Sequence, residues 1–535
     1  METSAPPTTT ARSRTHAALL LATAGLLIAA CAWWLRAPLH PMPLERDEGA
    51  YAVIAREWLR GSVLYRDLFD HKPPLTFAVF ALAPALADDP VVAVRRLATL
   101  YLLASGLALA ALGRRLYGRW IGLAAFALWV GYGSSLRFQG LTFNTEAVMA
   151  LPALLGCLCA AKGMRGGRGV WFCLAGICVG LAALAKPVGA ALLLPLLLGP
   201  LLAADAAGAR LRGMAPALGG AALPLLLFTG YLWRAGALPA AWEALVAYNR
   251  LYAAESAAGG WDPRGLWPVW QPMLALLLPG AAGLAASMLR PAGRTPEHAI
   301  TALWGGALLV TAIASLRGYP HYYLAAVPFF CLWAAAGAAL AAEALARAER
   351  GWLTAPVALL LLGTLLAPPL REVLPLRPLA PGAQIAALYG PDGEQFFGPA
   401  REAAAAIAQL APPGEPIFVW AAEPELYLLA DRRPATRFVY DYPVDRLPGA
   451  RQEVLDRLRR VPPPLIVTYR DVRPIGFHPF MSDLGYRLDR TIAGYDLFVR
   501  ASRSETHEPA ARRLRARHGD TAKERQVRSQ RPGGA

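Results

Sequence analysis

Charge is scarce in this 535-residue chain: only 17% of it is Asp, Glu, Lys or Arg, against 56% hydrophobic residues. An ordinary soluble domain carries about a quarter charged residues, so this composition excludes one and points to a polytopic membrane protein. Cysteine is also sparse. The six present (Cys31, Cys157, Cys159, Cys173, Cys178 and Cys331) all fall inside apolar runs with no metal-ligand spacing around them. They read as small hydrophobes within spans, so no metal site and no disulfide is expected. No repeat of about 20 to 50 residues is evident, which excludes solenoids and propellers. The first apolar run ends Cys31-Ala-Trp-Trp-Leu-Arg, without a small-x-small cleavage site, and is read as a retained span. A formal charge of +16 raises nucleic acid as a partner. Much of the excess, however, lies in short loops between apolar runs and in the tail from 501 to 535, a pattern that fits membrane orientation, and no nucleic-acid partner is expected.

Eleven apolar segments of spanning length are present, at 17–35, 91–112, 120–136, 147–161, 170–186, 188–203, 215–233, 266–287, 299–316, 320–339 and 352–370. Basic clusters occupy every second loop: Arg12 and Arg14, Arg114 to Arg119, Lys162 to Arg168, Arg210 and Arg212, Arg290 and Arg294, Arg347 and Arg350. That alternation places these loops in the cytoplasm. The run 75–87 is short for a crossing and interrupted by Pro84, so it is expected as a juxtamembrane or re-entrant helix on the outer side. Arg95 and Arg96 then stand at the outer end of a span, against the rule.

The fold class expected is mainly α, a polytopic membrane protein with a small C-terminal α/β domain outside the membrane. Residues 1–16 form a cytoplasmic tail, 17–370 the membrane domain with an outer loop at 36–90, and 371–394 a linker. From 395 to 500, extended runs at Ile417 to Trp420, Arg437 to Tyr440, Leu465 to Tyr469 and Tyr495 to Val499 alternate with helical patterns at Arg401 to Leu410 and Arg451 to Val461. The tail 501–535, with nine Lys or Arg and few apolar residues, is expected to be disordered.

Directly after the first span comes Glu45 to Leu75, ERDEGAYAVIAREWLRGSVLYRDLFDHKPPL. It sets an acid pair, Asp47 and Glu48, and a Lys72-Pro-Pro turn at one membrane surface. An acid there takes a proton from an attacking hydroxyl or amine, and a lysine offsets charge on a departing phosphate. The DE-x-x-YA, G-x-x-x-Y-x-D and K-P-P-L pattern resembles the first extracytoplasmic loop of GT-C glycosyltransferases. It is most similar to the family 39 group, which contains protein O-mannosyltransferases and lipid A aminoarabinose transferases. The resemblance implies that Asp47 is the general base, leaves Glu48 either assisting or shaping the helix start, and places Lys72 at the donor phosphate. Tyr51 of the same motif is expected in the substrate cavity.

The turn Arg137 to Glu146, RFQGLTFNTE, holds the second acid the resemblance calls for, Glu146, with Asn144 beside it; Thr142 to Thr145 also read as a helix cap. An Asp-x-Asp pair is absent, so a metal-dependent mechanism of the oligosaccharyltransferase kind is not supported; no metal ligand is named, no cofactor is expected, and divalent-metal dependence is left open. Lys186 is an ionisable group in apolar sequence, a pattern that marks function in membranes. Arg317-Gly-Tyr-Pro-His321-Tyr-Tyr resembles a late segment of related transferases. Arg137, Lys186, Arg317 and His321 are therefore expected near the donor phosphate. The aromatic loop with Tyr248, Tyr252, Trp261, Trp267 and Trp270 reads mainly as an interfacial belt. The implied activity is transfer of a sugar, with inversion, from a polyprenyl-phosphate donor to a lipid, glycan or protein acceptor at the outer face of the cytoplasmic membrane. A transporter of lipid-linked sugars or a non-catalytic binding subunit shares the apolar bulk and stands as the alternative.

Overall fold

Apolar runs fold as helices because a helix satisfies its backbone N–H and C=O groups within its own segment, as lipid requires. A computed structural model describes residues 9–166, 169–203, 207–258, 262–315, 317–347, 351–469 and 477–500. Its helices begin with α1 (Thr9–Arg36), α2 (Arg46–Leu59), α3 (Pro74–Phe80), α4 (Pro90–Tyr117), α5 (Arg119–Tyr132), α6 (Thr145–Gly166), α7 (Gly169–Ala185) and α8 (Leu193–Ala203). They continue with α9 (Ala207–Arg234), α10 (Leu238–Trp242), α11 (Asn249–Ala258), α12 (Pro263–Leu289), α13 (Pro296–Ala314), α14 (Val327–Arg347) and α15 (Thr354–Val373).

Each of the eleven apolar segments contains helix. Among the described residues, eight helices are long and apolar enough to cross a membrane: those of α1, α4, α6, α9, α12, α13, α14 and α15. The segments 120–136, 170–186 and 188–203 give the shorter α5, α7 and α8. The span expected from 320 starts only at Val327, because Pro320 opens a separate 3-10 turn over Pro320–Tyr323. The interrupted run at 75–87 forms the seven-residue α3 and a 3-10 turn at Ala83–Ala85. Small residues let the helices pack closely. A Cβ on Gly176 of α7 would lie 2.1 Å from the Ala217 carbonyl oxygen of α9.

The segment 371–394, expected as a linker, is largely helical: α15 runs on to Val373, and α16 (Pro381–Tyr389) and α17 (Pro391–Phe397) follow. Val373, Leu376 and Ile385 bury against Leu35 and Leu39 at the end of α1, which explains why this stretch is ordered. Beyond it come α18 (Ala400–Leu410), β1 (Pro416–Trp420), α19 (Glu425–Leu429), β2 (Arg433–Pro434), α20 (Tyr442–Arg446), α21 (Ala450–Arg460), β3 (Leu465–Tyr469), α22 (Phe477–Asp483), β4 (Tyr486–Ile492) and β5 (Tyr495–Arg500).

The sheet order is β2-β1-β3-β5-β4, parallel across β2, β1 and β3 and antiparallel thereafter. Phe418 pairs with Ile466 and Ile466 with Phe498, so the apolar β1, β3 and β5 form the covered centre of the sheet. Charged β4 is the exposed edge. Residues Arg437 to Tyr440 do not form a strand of this sheet. Phe438 instead makes an isolated bridge to Phe69, whose N–H donates to the Arg437 carbonyl at 2.7 Å. The nonlocal partner, not the local β pattern, decides that segment. The tail 501–535 lies outside the described residues, as do Arg168, Trp261 and Arg350.

The C-terminal domain is seated on the loop between α1 and α4. Arg56 of α2 donates to the Tyr427 carbonyl at 3.0 Å and the Arg432 carbonyl at 2.7 Å. Glu57 is paired with Arg433 at 3.0 Å. Gly49 is needed here for close approach, since a Cβ would fall 2.9 Å from the Glu425 backbone nitrogen. One apolar core joins Tyr51, Phe77 and Trp304 of the membrane part to Ile417 and Leu465 of the sheet.

Candidate functional site

Helix α2 opens with a reciprocal cap. The Glu45 carboxylate accepts from the Glu48 N–H and the Glu48 carboxylate accepts from the Glu45 N–H, both at 3.2 Å. This cap aims the two adjacent acids in different directions. Glu48 turns inward, fully buried, accepts from the Phe143 N–H at 2.7 Å and pairs with Arg95. Asp47 turns the other way and keeps its side chain 41% exposed.

Around Asp47 the loop gathers partners. Tyr51, one turn on, donates its hydroxyl to Asp47 Oδ2 at 3.1 Å, and Lys72 Nζ lies 3.7 Å from the same oxygen. Lys72 cannot be helical before Pro73 and is presented from extended chain. Pro74 then opens α3 at its first turn. The lysine's backbone N–H donates to Asp70 Oδ1 at 2.9 Å, and its carbonyl accepts from the Tyr65 hydroxyl at 3.1 Å.

The Lys72 ammonium donates to His71 Nε2 at 2.8 Å, which requires that nitrogen to be bare and puts the ring proton on Nδ1, toward Asp70 at 3.5 Å. Burial, with the Lys72 charge beside it, holds His71 well below the usual imidazole range, in keeping with a neutral ring. Burial alone would raise Asp47, but nearby positive charge, Lys72 first, outweighs it and brings the carboxyl down to about 2. Asp70 moves the other way, pushed up to about 6 by burial. Burial works against the Lys72 charge, but Asp47 and Asp70 outweigh it and keep the ammonium protonated above its ordinary range.

A second wall comes from the membrane helices. Lys186 ends α7 in extended conformation before Pro187, pairs with Glu146 at the start of α6, and stands 3.6 Å from the centre of the Tyr322 ring. Thr145 donates to Glu146 at 2.9 Å. The turn before α14 supplies a third wall. His321 Nδ1 is 2.7 Å from Gln139 Oε1, and burial lowers its affinity for a proton. Arg317 lies 3.5 Å from the Tyr252 ring centre and donates to the Tyr252 carbonyl at 2.9 Å.

Tyr248 and Tyr252 close the site. A π-helical turn at Glu243–Tyr248 leads into α11 and sets both rings against His71, with centroids 5.0 and 5.5 Å away, and Asn249 donates to the His71 carbonyl at 2.9 Å. From the C-terminal domain, Tyr440 donates to Asp70 at 3.5 Å and Arg446 lies near Tyr248.

The structure thus brings Asp47, Tyr51, Lys72, Glu146, Lys186 and His321 into one cluster of interacting groups, with Arg317 at its margin against Tyr252. Arg137 points elsewhere, paired with Glu372. Glu48 is directed into the protein interior, and Asn144 is buried beneath the turn, donating to Thr142 at 2.9 Å. His71, Asp70, Tyr248, Tyr252, Tyr322, Tyr440 and Arg446 were not singled out in the sequence as site residues. Asp70 and His71 lie inside the Glu45 to Leu75 stretch and Tyr322 inside the Arg317 to Tyr323 segment, while Tyr248 and Tyr252 stand in the aromatic loop read mainly as an interfacial belt.

Residues 71–233 match the family model described as dolichyl-phosphate-mannose-protein mannosyltransferase. That match includes Lys72, Glu146 and Lys186 and begins after Asp47. Among solved structures, the crystal structure of ArnT from Cupriavidus metallidurans bound to undecaprenyl phosphate is similar with a TM-score of 0.57 and 17% identity, covering 91% of this chain and 99% of that one. The chain has the GT-C fold. A second GT-C structure, the oligosaccharyltransferase AglB from Archaeoglobus fulgidus in complex with an inhibitory peptide and a dolichol-phosphate, is similar at TM-score 0.50 and 12% identity, covering 90% of this chain and 74% of that one. Comparison with curated proteins finds no match.

Proposed function

We propose that the protein is a membrane glycosyltransferase that moves a sugar from a polyprenyl-phosphate donor to a lipid, glycan or protein acceptor, with inversion, at the outer face of the cytoplasmic membrane. The observation that carries this reading is the carboxylate of Asp47 beside the ammonium of Lys72, 3.7 Å apart, in the loop after the first span of a GT-C fold. Lys72 is the counter-charge for the donor phosphate. The acceptor's hydroxyl or amine attacks the anomeric carbon, its proton passes to Asp47, and the bond from that carbon to the phosphate oxygen breaks. The polyprenyl phosphate leaves with its charge held by Lys72, while Lys186, Arg317 and His321 line the remaining walls.

An isolated Asp47 at about 2 is a weak base. Donor binding corrects this, because a phosphate on Lys72 both engages the cation that depresses Asp47 and adds negative charge nearby. The carboxylate then gains proton affinity when the acceptor must be deprotonated. ArnT and AglB, whose structures hold undecaprenyl phosphate and dolichol-phosphate, support the donor class.

Membranes containing the protein, supplied with a panel of radiolabelled polyprenyl-phosphate sugars, test the reading. Label entering an acceptor fraction, absent from matched membranes without the protein, supports it and names the donor. No transfer from any donor, with the donors bound, overturns it.

A further inference from the structure

A cavity of about 600 Å³ lies between the turn after α2 and the C-terminal domain. Six guanidiniums line it: Arg60, Arg66, Arg433, Arg437, Arg457 and Arg460. Only three carboxylates, Glu57, Asp67 and Glu453, share the lining, and each is already engaged. Glu57 is bonded by Arg60 at 3.1 Å and by Arg433 at 3.0 Å. Asp67 is held by two bonds of 2.9 Å from Arg66, and Glu453 by bonds of 2.7 and 2.8 Å from Arg437.

Arg457 and Arg460 are left over. Arg457 uses only its Nε–H, toward the Ala435 carbonyl at 3.3 Å, and Arg460 has no ion pair or hydrogen bond among the described residues. Their spacing sets both on one face of α21. A basic last turn also complements the helix dipole, but that effect does not select a face. Arg459 shows the difference: it belongs to the same turn, pairs with Asp456 at 3.1 Å and is not part of the cavity lining.

The cavity is separate from Asp47. Arg437 lies 5.4 Å from the Phe69 ring centre, and Phe69 packs on Tyr248 at 5.7 Å, so an aromatic layer divides the two. It borders the end of a membrane-length helix, because Arg66 donates to the Ala235 carbonyl just past α9 at 3.0 Å. The geometry points to a second anion site in this cavity, at the membrane surface, that takes a phosphate-bearing group on Arg457 and Arg460. Guanidinium forks suit phosphate oxygens, and the surplus of cations supplies the charge. The site does not depend on the role of Asp47.

Inorganic pyrophosphate is the probe, titrated calorimetrically at low salt into the full chain in phosphatidylcholine nanodiscs and in discs that also contain phosphatidic acid. The expected result is saturable binding in phosphatidylcholine discs, weakened about tenfold or more by Arg457→Ala with Arg460→Ala and unchanged by Arg459→Ala. Lower affinity in phosphatidic acid discs, beyond the shift the double variant shows there, assigns the site to a lipid headgroup. Equal affinity in both discs assigns it to a soluble phosphate ester. Either supports the site. Pyrophosphate binding that is absent, or the same in wild type and the double variant, overturns it; an unchanged melting temperature of the variant excludes misfolding as the cause of a loss.

Discussion

Arg95 of α4 and Glu48 of α2 form an ion pair 2% and 0% exposed, which ties the loop between α1 and α4 to the start of α4. Arg95 also donates to the carbonyls of Met42 and Leu141 at 3.3 and 3.0 Å, so its charge is consumed inside the protein. The pair fixes the direction of the α2 N-terminus, and with it Asp47.

Removing one partner should therefore unfold the loop. Glu48→Ala leaves a buried guanidinium without its carboxylate and is expected to cost about 3–5 kcal/mol, whereas Glu48→Leu with Arg95→Leu recovers much of the loss. Thermal unfolding of the detergent-solubilised protein checks both. Asp47→Asn, at a half-exposed position, should unfold close to the wild type.

Lys72→Ala should act on two steps. Loss of a charged hydrogen-bond partner weakens donor binding by about 10- to 100-fold. It also removes the main charge holding Asp47 down, so the Asp47 carboxyl rises toward or above the ordinary 3.8. With saturating donor, the acid limb of kcat should move to higher pH in the variant, measured between about pH 4 and 8. An unmoved limb would mean that Asp47 does not govern it.

The C-terminal domain meets α2 through acids around Arg46. Burial raises Glu45 to about 8, Glu423 to about 7 and Asp441 to about 6, and pushes Glu425 well above the carboxylate range. Neither Glu425 oxygen has a hydrogen-bond partner among the described residues, and Arg46 lies 3.9 Å from Glu423. Carboxyls raised in the folded state bind protons more tightly there, so the stability that protonation allows is lost as pH rises through the folded values. His40, His71 and His321 are lowered by burial and work oppositely, but their contribution is complete by about pH 7. Above that, Glu45 and Glu425 dominate this group. The melting temperature should fall from pH 7 to 9 by about a degree or more per unit, and Glu425→Gln should reduce the slope. Hydrogen exchange in α19 reports whether this interface is the part that opens.

The membrane architecture was legible in the sequence because lipid allows few backbone solutions, and an apolar run of spanning length has little choice but helix. Lys72 was legible through the motif of the loop that carries it and Lys186 as an ionisable group in apolar sequence. Arg95 was the informative anomaly. It stood against the charge rule because its partner, Glu48, lies 47 residues away in sequence. The aromatic enclosure of His71 was not legible, since Tyr248 reaches it through a π-helical turn and Tyr440 from another domain. Pairing across such distances decides Phe438 as well, which bridges to Phe69 and leaves the sheet without the strand its composition suggests.

The most direct test of the account is a paired measurement on Asp47→Asn: binding of the polyprenyl-phosphate sugar identified with the wild type, and transfer of that sugar to acceptor, on the same purified protein. Donor binding should stay within a few-fold of wild type while transfer falls by about 100-fold or more, the size expected when a general base is removed. Transfer that survives the substitution at near wild-type rate would contradict it.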